Sequence, residues 1–221
     1  MQVKVVSISE PVLDEIKTPD DIIAYTARVS NPTNQNNTET APRLIKYLKK
    51  HKHWSPFEMA HVVIEINTTR DIARQILRHR SFSFQEFSQR YADPSVMGDM
   101  FETRECRLQD EKNRQNSVEI DQTDEYEGGL SDRWHGMQER VIREAEMVYK
   151  WALDNGIAKE QAKAVLPEGL TKSRLYMAGS LRSWIHYCEL RSANGTQKEH
   201  MEIAKACFQA LLEYFPSLEE E

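Results

Sequence analysis

Residues 78 to 91, RHRSFSFQEFSQRY, set Arg78, His79, Arg80 and Arg90 among three serines and four aromatic rings. Upstream, Arg70 and Arg74 stand at i−8 and i−4 from Arg78, so on a helix the three guanidinium groups share one face. Each like-charged neighbour pair there costs roughly 0.2–0.5 kcal/mol. A phosphate dianion would offset that cost, because guanidinium binds it through parallel charge-assisted hydrogen bonds worth roughly 1.5–3 kcal/mol each. The competing account is a solvated basic face whose arginines pair with Asp71 and other surface acids. Glycine is scarce, at 8 residues, and neither GxGxxG nor GxxxxGK[ST] occurs, so side chains rather than a backbone cradle must hold any nucleotide. Arginine, histidine and aromatic rings in this density suit a planar, phosphorylated heterocycle.

Elements must position these groups. TTRDIARQILRHR (68–80) has helical period with Ile72, Ala73, Ile76 and Leu77 inward. Ser83 and Glu86 have the S-x-x-E spacing of a capping box, which predicts a second helix with Phe84, Phe87 and Tyr91 as its inner stripe and a short turn between the two. VKVVSI (3–8) and AHVVIEIN (60–67) alternate as strands. Helices are expected over 20–30, capped by Asp20; after Thr40, with Leu44, Ile45 and Leu48 inside; over 131–155, with Trp134, Met137, Val141, Ala145, Val148 and Ala152 inside and Gly156 as left-handed stop; before Pro167; over 173–189; and around Met201, Ala204, Phe208 and Leu211. The polar stretch 92–130 reads as an exposed, mobile excursion. The set predicts an α+β chain: one domain over 1–221, with a small mixed or antiparallel sheet packed against several helices.

Composition bounds the function. A net charge of −6 argues against a general nucleic-acid binder. No apolar run reaches the roughly 20 residues of a membrane span, and the opening MQVKVVSISEPVLDEI lacks the features of a secretory signal, so the expected compartment is the cytoplasm. Cys106, Cys188 and Cys207 form no CxxC pair and read as buried thiols. His51, His53 and His61 near Glu58 match no zinc spacing, so no metal is expected.

The RHR-seven-residues-Ser arrangement of 78–88 resembles the signature of the flavin-dependent thymidylate synthases. TARVS (26–30), HWSPFE (53–58), AVLPE (164–168) and SLRSWIHYCELR (180–191) resemble further segments of that family, in family order. The resemblance implies a homotetramer with active sites at subunit junctions that binds FAD, dUMP, methylenetetrahydrofolate and NADPH. NADPH would reduce the flavin, the folate would supply the one-carbon unit for C5 of dUMP, and reduced flavin would give the hydride that completes dTMP. By motif position, Gln75, Arg78, Glu86, Phe87, Ser88, Gln89, Arg90, Lys163 and Arg191 fall on dUMP-binding positions. Ser88 to Arg90 would lie around the phosphate, and Arg191 would face the uracil as a catalytic cation, with Ser88 as the second candidate catalytic residue. Ser55, Arg78, His79, Arg80, Glu86, Ser180, Leu181, Arg182 and His186 fall on FAD positions. Lys163 stands where the family often has arginine, keeping the charge but losing the planar fork.

Overall fold

The computed structural model describes residues 2–219. Its frame is an antiparallel four-stranded sheet in the order β1 (Gln2–Ile8), β2 (His61–Thr69), β6 (Lys172–Ser180), β3 (Ser83–Glu86), with a separate two-stranded hairpin of β4 (Arg107–Gln109) and β5 (Ser117–Glu119). The helices are α1 (Pro19–Ala27), α2 (Ala41–Lys50), α3 (Arg70–Ile76), α4 (Glu125–Asp154), α5 (Lys159–Ala162), α6 (Leu181–Ser192) and α7 (Lys198–Leu212). The architecture is α+β, as expected.

Alternation in the two central strands makes the sheet two-faced. Val62, Ile64 and Ile66 of β2 and Leu175 and Met177 of β6 are buried in the main core with Phe57, Ile72, Trp184, Tyr187 and Phe215. The opposite face carries cross-strand polar pairs: Tyr176 Oη donates to Glu65 Oε2 at 2.8 Å, and Arg174 Nε to Asn67 Oδ1 at 2.9 Å. One apolar and one polar face is what an antiparallel sheet allows. Trp184 Nε1 donates to Val62 O at 3.1 Å, so α6 is pinned to β2 by a buried polar contact as well as by packing. A smaller cluster of Tyr149, Ala152, Ala162 and Leu166 joins α4 to α5.

Several expectations change. Residues 172–180 are a strand, not the first half of a helix over 173–189: Ser173, Leu175, Met177 and Gly179 alternate inward along β6, and Ser180 caps α6 by accepting from Ser183 N at 3.4 Å. Residues 83–86 are the edge strand β3, paired Ser83 to Ala178 and Glu86 to Leu175, so the capping-box reading fails and Tyr91 is exposed. Thr18, not Asp20, caps α1, in a reciprocal box with Asp21; Asp20 is buried and accepts from Ser217 N at 3.1 Å. Thr40 is the residue before α2 but makes no capping bond; its Oγ1 accepts from Arg28.

Helix α4 starts at Glu125 behind an Asp124 cap rather than at Ser131, and ends at Gly156 with φ 76°, as expected. Of its expected inner stripe, Ala145 and Ala152 are buried while Trp134, Met137 and Val141 are exposed. The excursion is strapped down: Lys198 Nζ meets Glu105 Oε2 at 2.9 Å and Glu119 Oε1 at 2.6 Å, and Arg107 pairs with Glu199. Cys188 and Cys207 are buried, whereas Cys106 is half-exposed. Burial pushes the Cys188 and Cys207 thiols well above the usual range, so neither is a ready nucleophile. Among the described residues no helix is long and apolar enough to cross a membrane, and no three His, Cys, Asp or Glu are grouped to hold a metal ion.

Candidate functional site

The expected arginine ladder is split by the early end of α3. Ile76 is its last residue, and the chain turns at once, with His79 N donating to Ile76 O at 3.1 Å. Arg70 and Arg74 stay on the helix and share Glu168, at 3.2 and 3.0 Å, which gives the paired basic face an acid from the AVLPE segment instead of Asp71. Arg78 and Arg80 sit in the turn, exposed, with no ion-pair partner among the described residues. His79 points the other way. Its ring meets Tyr187 edge-on at 4.9 Å, and its Nε2 accepts a 2.9 Å hydrogen bond from Arg191 Nε.

That bond settles the charge at the centre of the site. Burial, then the neighbouring Arg191 and Arg78 cations, lower the His79 pKa to about 4, so at neutral pH the ring is an uncharged acceptor. Arg191 Nε is used by the histidine; its terminal nitrogens have no protein partner among the described residues, leaving the end of the guanidinium fork for a ligand. Behind the pair, His200 is fully buried and bonds both Tyr187 and Gln75, at 3.2 and 3.3 Å.

A second group lies at the other end of the turn, where β6 passes into α6. Glu58 of the HWSPFE segment accepts from Ser180 Oγ at 2.5 Å and from Arg182 at 2.7 Å. The Ser180 bond first, then that of Arg182, hold its carboxyl below the usual range, so Glu58 stays an anion. Ser81, Ser83, His61 and Ser183 join Glu58 and Ser180 around a cleft of about 420 Å³. Leu181 is buried with its N–H given to Ala60 O at 2.8 Å, so its side chain belongs to the core. His186 packs edge-on against Trp54 at 4.5 Å, and Ser55 is exposed one residue further on.

The third group follows β3. Glu86 accepts from Ser173 Oγ at 3.0 Å and lies 3.9 Å from Arg70. Phe87 N donates to Arg174 O at 2.8 Å, extending the strand contact, and Ser88 opens a tight turn in which its Oγ accepts from Arg90 N at 3.4 Å. Gln89 is buried, with Nε2 lacking a partner among the described residues; Arg90 pairs with Glu160 at 3.4 Å, and Lys163, three positions on from Glu160, is half-buried. Among the described residues no hydrogen bond or ion pair joins this turn to the Arg191–His79 pair. Hydrogen bonds join His79 to Arg191, Gln75 to His200, and Ser180 and Arg182 to Glu58, whereas among the described residues none joins Ser88, Gln89, Arg90 or Lys163 to these groups.

Residues 11–217 match the family model described as thymidylate synthase complementing protein. The chain is 47% identical over 218 residues to a probable flavin-dependent thymidylate synthase of Paramecium bursaria Chlorella virus 1, covering 99% of this chain and 97% of that one. It is 44% identical over 221 residues to the flavin-dependent thymidylate synthase of Synechocystis sp., with the same coverage. The chain belongs to this family. Among solved structures, a UMP/dUMP methylase from Streptomyces cacaoi bound with 5-Br dUMP superposes with a TM-score of 0.75 at 25% identity, over 98% of this chain and 91% of that chain.

Membership in the thymidylate synthase complementing family makes the residues that sequence reasoning passed over more telling. Glu58 was visible inside HWSPFE, yet its task of holding Ser180 and Arg182 needs a contact across 122 to 124 positions that no local pattern encodes. His200 and Gln197 fell in no quoted segment, and Tyr187 lay unremarked inside SLRSWIHYCELR; only the fold shows that His200 and Gln197 bond Gln75 and that Tyr187 bonds His200.

Proposed function

We infer that this chain is a flavin-dependent thymidylate synthase that methylates C5 of dUMP to give dTMP, with methylenetetrahydrofolate as one-carbon donor and NADPH as electron source. The observation that carries the reading is the Arg191–His79 hydrogen bond, which joins two family motifs 112 positions apart into one centre with an uncharged ring and an open guanidinium end.

The donor set fits a flavin dinucleotide. Among the described residues Arg78 and Arg80 are cations without carboxylate partners, suited to a pyrophosphate. Ser55, Arg78, His79, Arg80, Glu86, Ser180, Arg182 and His186 would hold the flavin, with Leu181 contributing through its backbone. When bound, the flavin supplies the hydride that completes the methyl group. The chain's own part is binding and electrostatics. Arg191 is aimed at the uracil, where a fixed guanidinium stabilises negative charge on the ring. Ser88, Gln89 and Arg90 bind the nucleotide phosphate with Lys163, while Gln75, Arg78, Glu86 and Phe87 complete the dUMP site. High thiol pKa values at Cys188 and Cys207 agree with a route that needs no cysteine nucleophile.

The complete site is assigned to subunit junctions of a homotetramer, a reading that suits the lack of any hydrogen bond or ion pair between the Ser88–Arg90 turn and the Arg191–His79 pair among the described residues. The exposed Trp134, Met137, Val141, Met147 and Trp151 of α4 are the kind of apolar surface such an assembly covers. No nucleic-acid or membrane partner is proposed, and the compartment is the cytoplasm. The test is an absorbance spectrum: protein loaded with FAD should show a flavin band that NADPH bleaches. Protein that takes up no FAD would overturn the reading.

A further inference from the structure

Behind Gln75 runs a series of hydrogen bonds whose directions are mutually fixed. At its far end Glu199, buried, is held by Arg107 of β4 and accepts through Oε2 from Gln197 Nε2 at 2.9 Å. Gln197 must then turn its Oε1 the other way, where it accepts from Gln75 Nε2 at 2.8 Å. Gln75 Oε1 in turn faces His200 Nδ1 at 3.3 Å, so that nitrogen carries the proton, and His200 Nε2 accepts from Tyr187 Oη at 3.2 Å. Every link has one donor and one acceptor. Reversing any one of them would set two donors or two acceptors face to face; at the buried His200 end an unmade hydrogen bond costs roughly 1–3 kcal/mol, and less at the exposed Gln197.

We propose that His200 is a positioning residue of the nucleotide site: as the buried link between Tyr187 and Gln75, it locks the Gln75 amide in one orientation, with one N–H and one Oε1 lone pair left for the bound pyrimidine nucleotide. The proposal rests on the reading of the chain as a dUMP-methylating enzyme. It also gives the β4–β5 hairpin a task, since Arg107 holds the carboxylate on which the series ends. The same Tyr187 that bonds His200 is the ring on which His79 packs, so His200 also steadies the partner of Arg191.

The experiment compares FAD-loaded wild type with His200→Leu, His200→Gln and the exposed-site variant Gln197→Leu. It measures kcat, KM for dUMP, the dUMP dissociation constant by equilibrium dialysis, and thermal stability. A glutamine at 200 can still accept through its oxygen and donate through its nitrogen. The expected result is a dUMP affinity weakened about tenfold in His200→Leu, recovered to within about threefold in His200→Gln, and weakened several-fold in Gln197→Leu with unchanged melting temperature; a hydrogen bond to a neutral partner is worth about this much. Wild-type dUMP affinity in Gln197→Leu, or equal losses in both His200 variants that track stability alone, would overturn the proposal. If His200→Leu does not fold, the other two variants decide it. A wild-type protein that binds no dUMP would overturn the parent reading instead, and this inference with it.

Discussion

Arg191 and His79 share a hydrogen bond in which only the arginine carries charge, and this asymmetry sets the expected behaviour of single residues. Arg191→Ala removes the cation assigned to the uracil while leaving Arg78 and Arg80 in place for the flavin. Turnover should fall about 100-fold or more, the usual consequence of deleting one preorganised charge-stabilising donor, with FAD still bound. Near-normal turnover at saturating dUMP would refute that role. The histidines make a second prediction. Burial, together with Arg191 and Arg78 around His79 and Arg191 and His79 around His200, lowers both pKa values from 6.5 to about 4. The unfolded chain therefore binds protons below pH 6.5 that the folded chain refuses until about pH 4. Stability from this source is complete above pH 6.5 and declines as pH falls toward 4. Urea titrations between pH 7 and 4 should show the decline, and His200→Gln should make it shallower; identical slopes would contradict the assignment.

At the scale of elements, the turn that carries Arg78 to Arg80 is held by one close approach. A Cβ on Gly179 of β6 would lie 2.5 Å from the Phe82 ring, and that ring also packs on Trp184 at 4.9 Å. Gly179→Ala should therefore destabilise the protein by about 1–3 kcal/mol and weaken FAD binding, as read by thermal melting and flavin titration. An alanine variant with wild-type melting and flavin affinity would show that the ring does not set the turn. Strand β2 was legible because its alternation is uninterrupted, β1 despite a register shift between Val5 and Ser7, and Gly156 because a glycine after a long helical pattern suits the left-handed stop. Residues 83–86 were not: Ser83 and Glu86 satisfy a helix-capping pattern locally, and pairing with β6 wins only because that strand lies alongside. Residues 173–189 were misread as one helix although Leu175 and Met177 stand at the two-residue spacing of a strand, and Ser180, whose hydroxyl caps α6, marks the boundary only once the strand is known.

The whole molecule leaves two facts that fit together. A 30-residue helix, about 45 Å long at 1.5 Å per residue, exposes tryptophan, methionine and valine that its sequence pattern marks as interior. Among the described residues no hydrogen bond or ion pair joins the two groups assigned to the nucleotide, the Ser88–Arg90 turn and the Arg191–His79 pair. The segments that carry the proposed site residues were legible in the sequence, whereas contacts between segments, such as Glu58 with Ser180 and Arg182, were not, because they form only once distant stretches of the chain are folded together. If the proposed assembly of four 25.8 kDa chains uses this face, Val141→Glu combined with Trp151→Glu should give smaller species in light scattering, with loss of FAD. Undiminished mass and flavin content would remove α4 from the interface.

The most direct test of the central claim, that the RHR turn and Arg191 together hold a flavin and a uracil for hydride transfer, is release of tritium from C5 of labelled dUMP by the FAD-loaded protein. The account predicts release that requires methylenetetrahydrofolate and NADPH and is nearly abolished in Arg191→Ala. Absence of release from the wild-type protein with all three substrates present would contradict it.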